Sequence, residues 1–572
     1  MSTQHRPRRT ILALLAALAL LASACGSDDE ATTASGDDST EDSAATPGDA
    51  ESEFNLDAVD EAADDAMGDA EEAMEPAEDA MADAPDAMTE STVAGGEGQA
   101  AFRSAAPADA AEGGFFAPET ERDDADGNFE DYGIRPFVET DRDPLSTFAL
   151  DVDTGAYTVA RQWLESGNLP PRESVRVEEY VNSFNYDYPD PREGLTVVAD
   201  GGPSPFNRDN VILRLGVQAE QVANSERPDA ALTFVIDTSG SMDRPNRLGL
   251  VQDALSRLVF ELDDDDTVAI VTYSDEGQVV LPPTEVAFRD EILDAIDRLR
   301  PDGSTNLEAG LDVGYELANQ QYRRGGVNRV ILASDGIANV GLVDPDGLAR
   351  KIRDDADEGI QLVTVGVGMD DFNDVMMEQL ADQGDGFYAY VDDLSEAERL
   401  FSDELVSTLL TVAIDGKIQV EFNPETVERY RLIGFENRAV LDDDFRNDSV
   451  DAGELGAGHQ VTAIYELTLR SGAAGRDRLG TAQLRWEDPE ERSVRETRLE
   501  LTVDTIEDRW GSTSDDFRLA ITVASFAEIL RDSPHRGDIS FSQVHAEADA
   551  LAERSGQASE LARLVALARD YS

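Results

Sequence analysis

The chain has 572 residues, 41% of them hydrophobic, and carries 121 acidic against 46 basic side chains for a formal net charge of −75. That length and apolar content suffice for several domains with cores of their own. The charge repels polyanions, which argues against nucleic acid and anionic lipid surfaces as partners.

At the N-terminus Arg6, Arg8 and Arg9 precede an apolar run at 11–21. This is the pattern of a signal peptide, and the run is too short to span a bilayer comfortably. It ends in Leu21-Ala22-Ser23-Ala24-Cys25-Gly26, which resembles a bacterial lipobox, although Ala22 stands where Leu or Val is usual. The resemblance implies diacylglycerol on Cys25 and an extracytoplasmic protein, lipid-anchored to the cell membrane, or secreted if ordinary signal cleavage occurs instead. Cys25 is the sole cysteine, so no intramolecular disulfide exists.

Residues 26–127 are expected to form an acidic, disordered tether, because 26–102 contain no Lys or Arg and little to bury. Met67, Met74, Met81 and Met88 recur every seven residues with Ala70, Ala77 and Ala84 between them, a coiled-coil register. Pro76, Pro85 and Gly68 interrupt it, and a slipped tandem duplication accounts for it better. From 128 to 228 the composition normalises. Here lie Asp151 and Asp153, read as turn and cap residues, and strand-like runs at 195–198 and 211–217, expected to pack beside the next domain.

A buried parallel strand is predicted at Ala231-Leu232-Thr233-Phe234-Val235-Ile236, and Asp237-Thr238-Ser239-Gly240-Ser241-Met242 follows it. The carboxyl ends of such strands are where ligands bind in open α/β sheets. Oxygen donors without Cys or His suit a hard cation, Mg²⁺, Mn²⁺ or Ca²⁺. Helical spacing covers 247–262, 288–299, 307–322, 345–357, 372–381 and 394–409. Strands are predicted at 267–273, 279–281, 330–333, 362–367 and 387–391. Asp263 to Asp266 read as a solvated turn. Alternating strands and helices over 229–405 define a doubly wound, mostly parallel sheet. That topology brings Asp237, Thr305 of the loop Pro301-Asp302-Gly303-Ser304-Thr305-Asn306, and Asp335 to one edge.

The order Asp-x-Ser-x-Ser, then Thr, then Asp resembles the metal-ion-dependent adhesion site of the von Willebrand factor type A domain. The resemblance implies a divalent ion, Mg²⁺ first, held by the hydroxyls of Ser239, Ser241 and Thr305 and the carboxylates of Asp237 and Asp335. It also implies an open position for a protein partner's Asp or Glu. An Arg or Lys in the pocket would count against this. A shift of the helix at 394–409 on a change of metal coordination is a further expectation from the family.

Beyond 411, alternation at 417–422, 430–434, 460–470, 481–486 and 495–503 argues a β-rich module over 411–505, sandwich-like. Residues 506–572 are a helical C-terminal region. The strings Ser146 to Tyr157, Arg431 to Arg438 and Asp451 to His459 are similar to a bacterial family typified by YfbK-like lipoproteins. Four histidines without zinc spacing, no Gly-x-Ser-x-Gly and only two lysines, Lys351 and Lys417, give no catalytic constellation. The chain therefore reads as a metal-dependent protein-binding module of the cell envelope. The alternative is a structural envelope protein whose site is filled by a carboxylate from its own 128–228 or 411–572 region.

Overall fold

The computed structural model describes residues 129–150, 152–244, 246–335, 345–368, 373–403, 409–448, 450, 452–489 and 491–572. The signal segment, Cys25, the acidic tether with its methionine repeat, and Asp151 lie outside the described residues. Among the described residues no helix is long and apolar enough to cross a membrane.

The strand Ala230–Asp237 is buried along its whole length because every face of it meets apolar structure. It lies between Val327–Ser334 and Thr267–Tyr273, parallel to both. The full order is Tyr388–Val391, Gln361–Val367, Val327–Ser334, Ala230–Asp237, Thr267–Tyr273, Gly277–Glu285, and only the last strand is antiparallel. Side chains alternate between two cores. Leu232, Phe234 and Ile236 face the helices Leu248–Glu261 and Arg289–Asp297. Val235 faces Leu307–Gln321, Pro345–Asp357 and Asp374–Gln383. The edge strand Gly277–Glu285 carries Pro282 and Pro283, which deny a further strand its hydrogen bonds.

Around this domain stands a sandwich built from both sides of it in sequence. One sheet runs Val138–Glu139, Val427–Ile433, Gln460–Leu469, Val211–Ala219, Leu195–Pro203. The other runs Gly453–Gly456, Thr411–Phe422, Arg478–Glu487, Val494–Thr502, with Leu145–Ala149 also paired to Thr411–Phe422. Leu213, Leu215 and Val461 share a core with Ile418, Val420 and Leu484. The run at 211–217 thus pairs with a strand from beyond 411, and the run at 195–198 joins the same sheet through it, rather than lying beside the α/β domain. Val211–Ala219 is buried almost throughout and needs a partner on each edge, which only Leu195–Pro203 and Gln460–Leu469 together supply.

The helices Gly155–Glu165, Val177–Asn182, Asp515–Leu530, Phe541–Ala552 and Gly556–Tyr571 form a fourth core over the first sheet of the sandwich, meeting Ile212, Ile433 and Ile464. Fully buried Arg431 ties that layer down by reaching Glu528 at 3.1 Å and Glu466 at 3.5 Å. Burial alone would raise the Glu528 carboxyl, but Arg531 and Arg431 outweigh it and hold it below the usual range.

Three local expectations are corrected. Asp266 is fully buried, not solvated: it accepts from Arg227 Nη1 at 3.0 Å and from the Ala230 amide at 2.6 Å, fixing the entry to the α/β domain. The N-cap of Gly155–Glu165 is Thr154, not Asp153; Asp153 accepts from the Tyr388 amide and from Arg438 Nη2, at 2.9 and 2.8 Å, and so joins the α/β domain to the sandwich. The helix expected over 394–409 is α-helical at Leu394–Glu398, widens to a π turn at Arg399–Asp403 and is helical again at Leu409, with 404–408 outside the described residues.

Candidate metal centre

Three loops at the carboxyl edge of the parallel strands make the site. Asp237 ends its strand, and the chain then turns because Thr238 donates twice to Tyr273 O, from its amide at 3.0 Å and its hydroxyl at 3.1 Å. The Ser239 amide donates to Asp237 Oδ1 at 2.8 Å. Oδ2 accepts from Ser334 Oγ at 3.1 Å and from the Tyr273 hydroxyl at 3.4 Å. Ser239 Oγ and Ser241 Oγ stand 2.9 Å apart.

The second loop is laced to the first: the Gly240 amide donates to Gly303 O at 3.1 Å and the Asp302 amide to Thr238 O at 2.6 Å. Gly303 sits at φ +77°, a turn that an L-residue resists. Thr305 is buried just beyond it, and Asn306 accepts from the Ala309 amide at 3.2 Å to cap the helix Leu307–Gln321. The third loop begins at Asp335, fully buried at the end of Val327–Ser334.

Of the five residues picked out by sequence, Asp237, Ser239 and Ser241 converge directly. Thr305 lies on the second loop, which the Gly240–Gly303 and Asp302–Thr238 bonds hold beside the first. Asp335 faces the same edge, but its Oδ2 is paired with Arg247 Nη1, which also donates to Ser241 O at 3.2 Å. Arg247, like Ser334 and Tyr273 on the Asp237 carboxylate, is a functional neighbour that the motif does not name. Asn246, at φ +59°, turns the chain just before Arg247, the N-cap of the helix Leu248–Glu261.

Burial raises the Asp237 carboxyl to about 6; Ser239's amide and hydroxyl pull against this, and the Asp335 charge adds to it. Ionised Asp237 is therefore costly at neutral pH, and a cation beside it would offset that cost. The donor set fits one. Neighbouring ligands on a Mg²⁺ octahedron lie roughly 3.0 Å apart for metal–oxygen bonds of about 2.1 Å. The two serine hydroxyls match that edge. No group of three or more His, Cys, Asp or Glu side chains among the described residues is placed to hold a metal, so such a site depends on hydroxyls. Gly240, Asp302, Gly303 and Ser304 around it are exposed, which leaves room for a ligand. The donors suit a hard divalent cation on the serine side, but Arg247 on Asp335 is an arginine in the pocket, the feature expected to count against the metal reading.

A family model described as "von Willebrand factor type A domain" matches residues 231–403. A second, "Uncharacterized protein YfbK, C-terminal", matches 407–571, and a third, "von Willebrand factor", matches 123–214. The α/β domain is a von Willebrand factor type A domain. The chain is 36% identical to YfbK of Escherichia coli (strain K12) over 471 residues, covering 77% of this chain and 80% of that protein. It belongs to the YfbK family. The protein sll0103 of Synechocystis sp. is 25% identical over 292 residues, covering 48% of this chain and 66% of its own length. Among solved structures, "von Willebrand factor type A from Catenulispora acidiphila" is 16% identical, covers 67% of this chain and 91% of that one, and gives a TM-score of 0.39.

Proposed function

We propose that this chain is a cell-envelope lipoprotein, anchored by diacylglycerol on Cys25, whose von Willebrand factor type A domain captures a protein partner bearing an Asp or Glu. The capture is divalent-cation dependent and involves no turnover. Asp237, Ser239, Ser241, Thr305 and Asp335 hold the ion, Mg²⁺ in first place and Mn²⁺ or Ca²⁺ as substitutes. The observation that carries the reading is the pair of serine hydroxyls 2.9 Å apart beside a buried carboxylate, ringed by exposed loop backbone. That type A domains mediate protein interaction in homologues supports it. When bound, the cation supplies a Lewis-acidic point for the partner's carboxylate. Asp237 provides charge, the serines provide neutral oxygens, and Ser334 and Tyr273 keep the Asp237 carboxylate from rotating.

The alternative, a carboxylate of a flanking domain in the site, draws no support from Asp237, Ser239 and Ser241, whose described partners all belong to the type A domain itself. The test of the main reading is thermal melting of the full chain with and without Mg²⁺. At a concentration 100-fold above Kd the ion stabilises by about 2.7 kcal/mol, and Asp237→Ala is expected to remove that gain while still folding. A wild-type midpoint indifferent to Mg²⁺, Mn²⁺ and Ca²⁺ would sink the proposal. Cys25→Ala is expected to move the protein from the membrane to the soluble fraction, and an unchanged membrane fraction would remove the anchor.

A further inference from the structure

Arg247 is too well housed to be incidental. Its side chain is 2% exposed, and Nη1 bridges two of the proposed donor residues, the carboxylate of Asp335 and the carbonyl of Ser241. On its other side lies Gly368 at φ +75°, where a Cβ would stand 2.4 Å from Arg247 Nε and 2.9 Å from Cγ. The groove that admits the arginine thus depends on a residue without a side chain. Asn246, at φ +59°, and the helix start at Leu248 fix where the arginine leaves the backbone.

We propose that Arg247 is a resident competitor for the cation, and that it makes cation and partner carboxylate bind as a pair rather than one after the other. This rests on the metal-dependent reading above. The argument is one of charge. Asp237, Asp335 and Arg247 together carry one net negative charge. A divalent ion alone brings the site to one net positive charge, and the partner's carboxylate returns it to neutrality. Without the arginine the same additions run from two negative charges to none, and then to one negative. Arg247 therefore penalises the ion alone, and penalises the ion with its bound carboxylate less. By reciprocity the partner must strengthen the ion as much as the ion strengthens the partner.

Mn²⁺ serves as the probe, with the free ion counted by electron paramagnetic resonance against the full chain. Arg247→Met is expected to bind Mn²⁺ roughly tenfold tighter than wild type or more, the scale set by one unit charge a few ångströms away in a partly screened site. Acetate, as a carboxylate probe, is expected to raise Mn²⁺ affinity in the wild type and to raise it less in Arg247→Met. Arg247→Gln keeps a donor for Ser241 O and carries the same expectation if the Met variant does not fold. Equal Mn²⁺ affinity in wild type and Arg247 variants, with Asp237→Ala abolishing binding, would overturn the competitor role and leave the metal site standing. No Mn²⁺ binding by any of these proteins would overturn both.

Discussion

A methyl group at position 155 would stand 2.3 Å from the Tyr388 ring, far inside contact distance. The ring cannot yield easily: it is fully buried, its hydroxyl donates to Asp374 Oδ1 at 2.8 Å, and its own amide is held by Asp153. Ala is preferred over Gly by up to about 1 kcal/mol inside a helix, and by less at a first position such as 155. Overpacking a filled core costs about 1–3 kcal/mol. The steric effect wins, so Gly155→Ala is expected to lower stability in urea titration, and a variant as stable as wild type would contradict the packing described. The contrast with the metal centre shows what single residues reveal in a sequence. Asp237, Ser239 and Ser241 are neighbours in the chain, and their chemistry is readable there. Asp153 finds Arg438 across 285 positions, and Asp266 finds Arg227 across 39. Nothing local distinguishes such carboxylates from solvated turns. Arg247 was equally silent, because its partner Asp335 lies 88 residues on.

The helix Asp374–Gln383 presents Asp374, Glu378 and Asp382 at four-residue intervals, one face of an α-helix. By spacing alone such a stripe reads as a solvated surface. Instead Asp374 meets Arg176, while Glu378 and Asp382 meet Arg438 at 3.0 and 2.8 Å, so the stripe docks the type A domain against the flanking structure. Burial is the largest influence on the Glu378 carboxyl and raises it to about 7, with Arg176 and Arg438 opposing. The folded state therefore holds the proton more tightly than the unfolded chain, whose value is near 4.5. The stability gained from that proton is full below pH 4.5 and is lost as pH rises through 7. Glutamine has no proton to lose, and Arg438 keeps Asp153 and Asp382 in either case. Relative to wild type, Glu378→Gln is expected to gain about 1–3 kcal/mol between pH 5 and pH 8, as the linkage of a shift of this size implies. Urea midpoints at the two pH values measure it, and a difference that does not change with pH would refute the burial argument.

Strand periodicity announced the sandwich but not its pairing. The register Gln218↔Gln460 and Leu213↔Tyr465 joins strands from either side of the type A domain, and the same is true of Phe148↔Ile418. Pairing over such separations leaves no trace in local pattern, which is why 195–217 read as an appendage of the domain that follows. The consequence is a frame with the type A domain set into it. Both ends of the insert meet at one place: Ala230 pairs with Val327, and Arg329, two residues further along that strand, donates from Nε to Leu409 O at 2.9 Å and from Nη2 to Thr411 Oγ1, also at 2.9 Å. Replacing 229–409 by a short Gly-Ser linker should therefore leave the frame's two cores intact. Arg161, Arg176 and Arg438 would lose partners on the insert but would face water, where an unpaired charge costs little, rather than a dry interior, where it costs about 3–5 kcal/mol. The excised frame is expected to melt cooperatively with β-rich circular dichroism. Truncation at 410 should instead aggregate, because it strips Gln460–Leu469 from the buried edge of Val211–Ala219. A soluble, folded 129–410 fragment beside an unfolded frame would show that the type A domain organises its surroundings, and not the reverse.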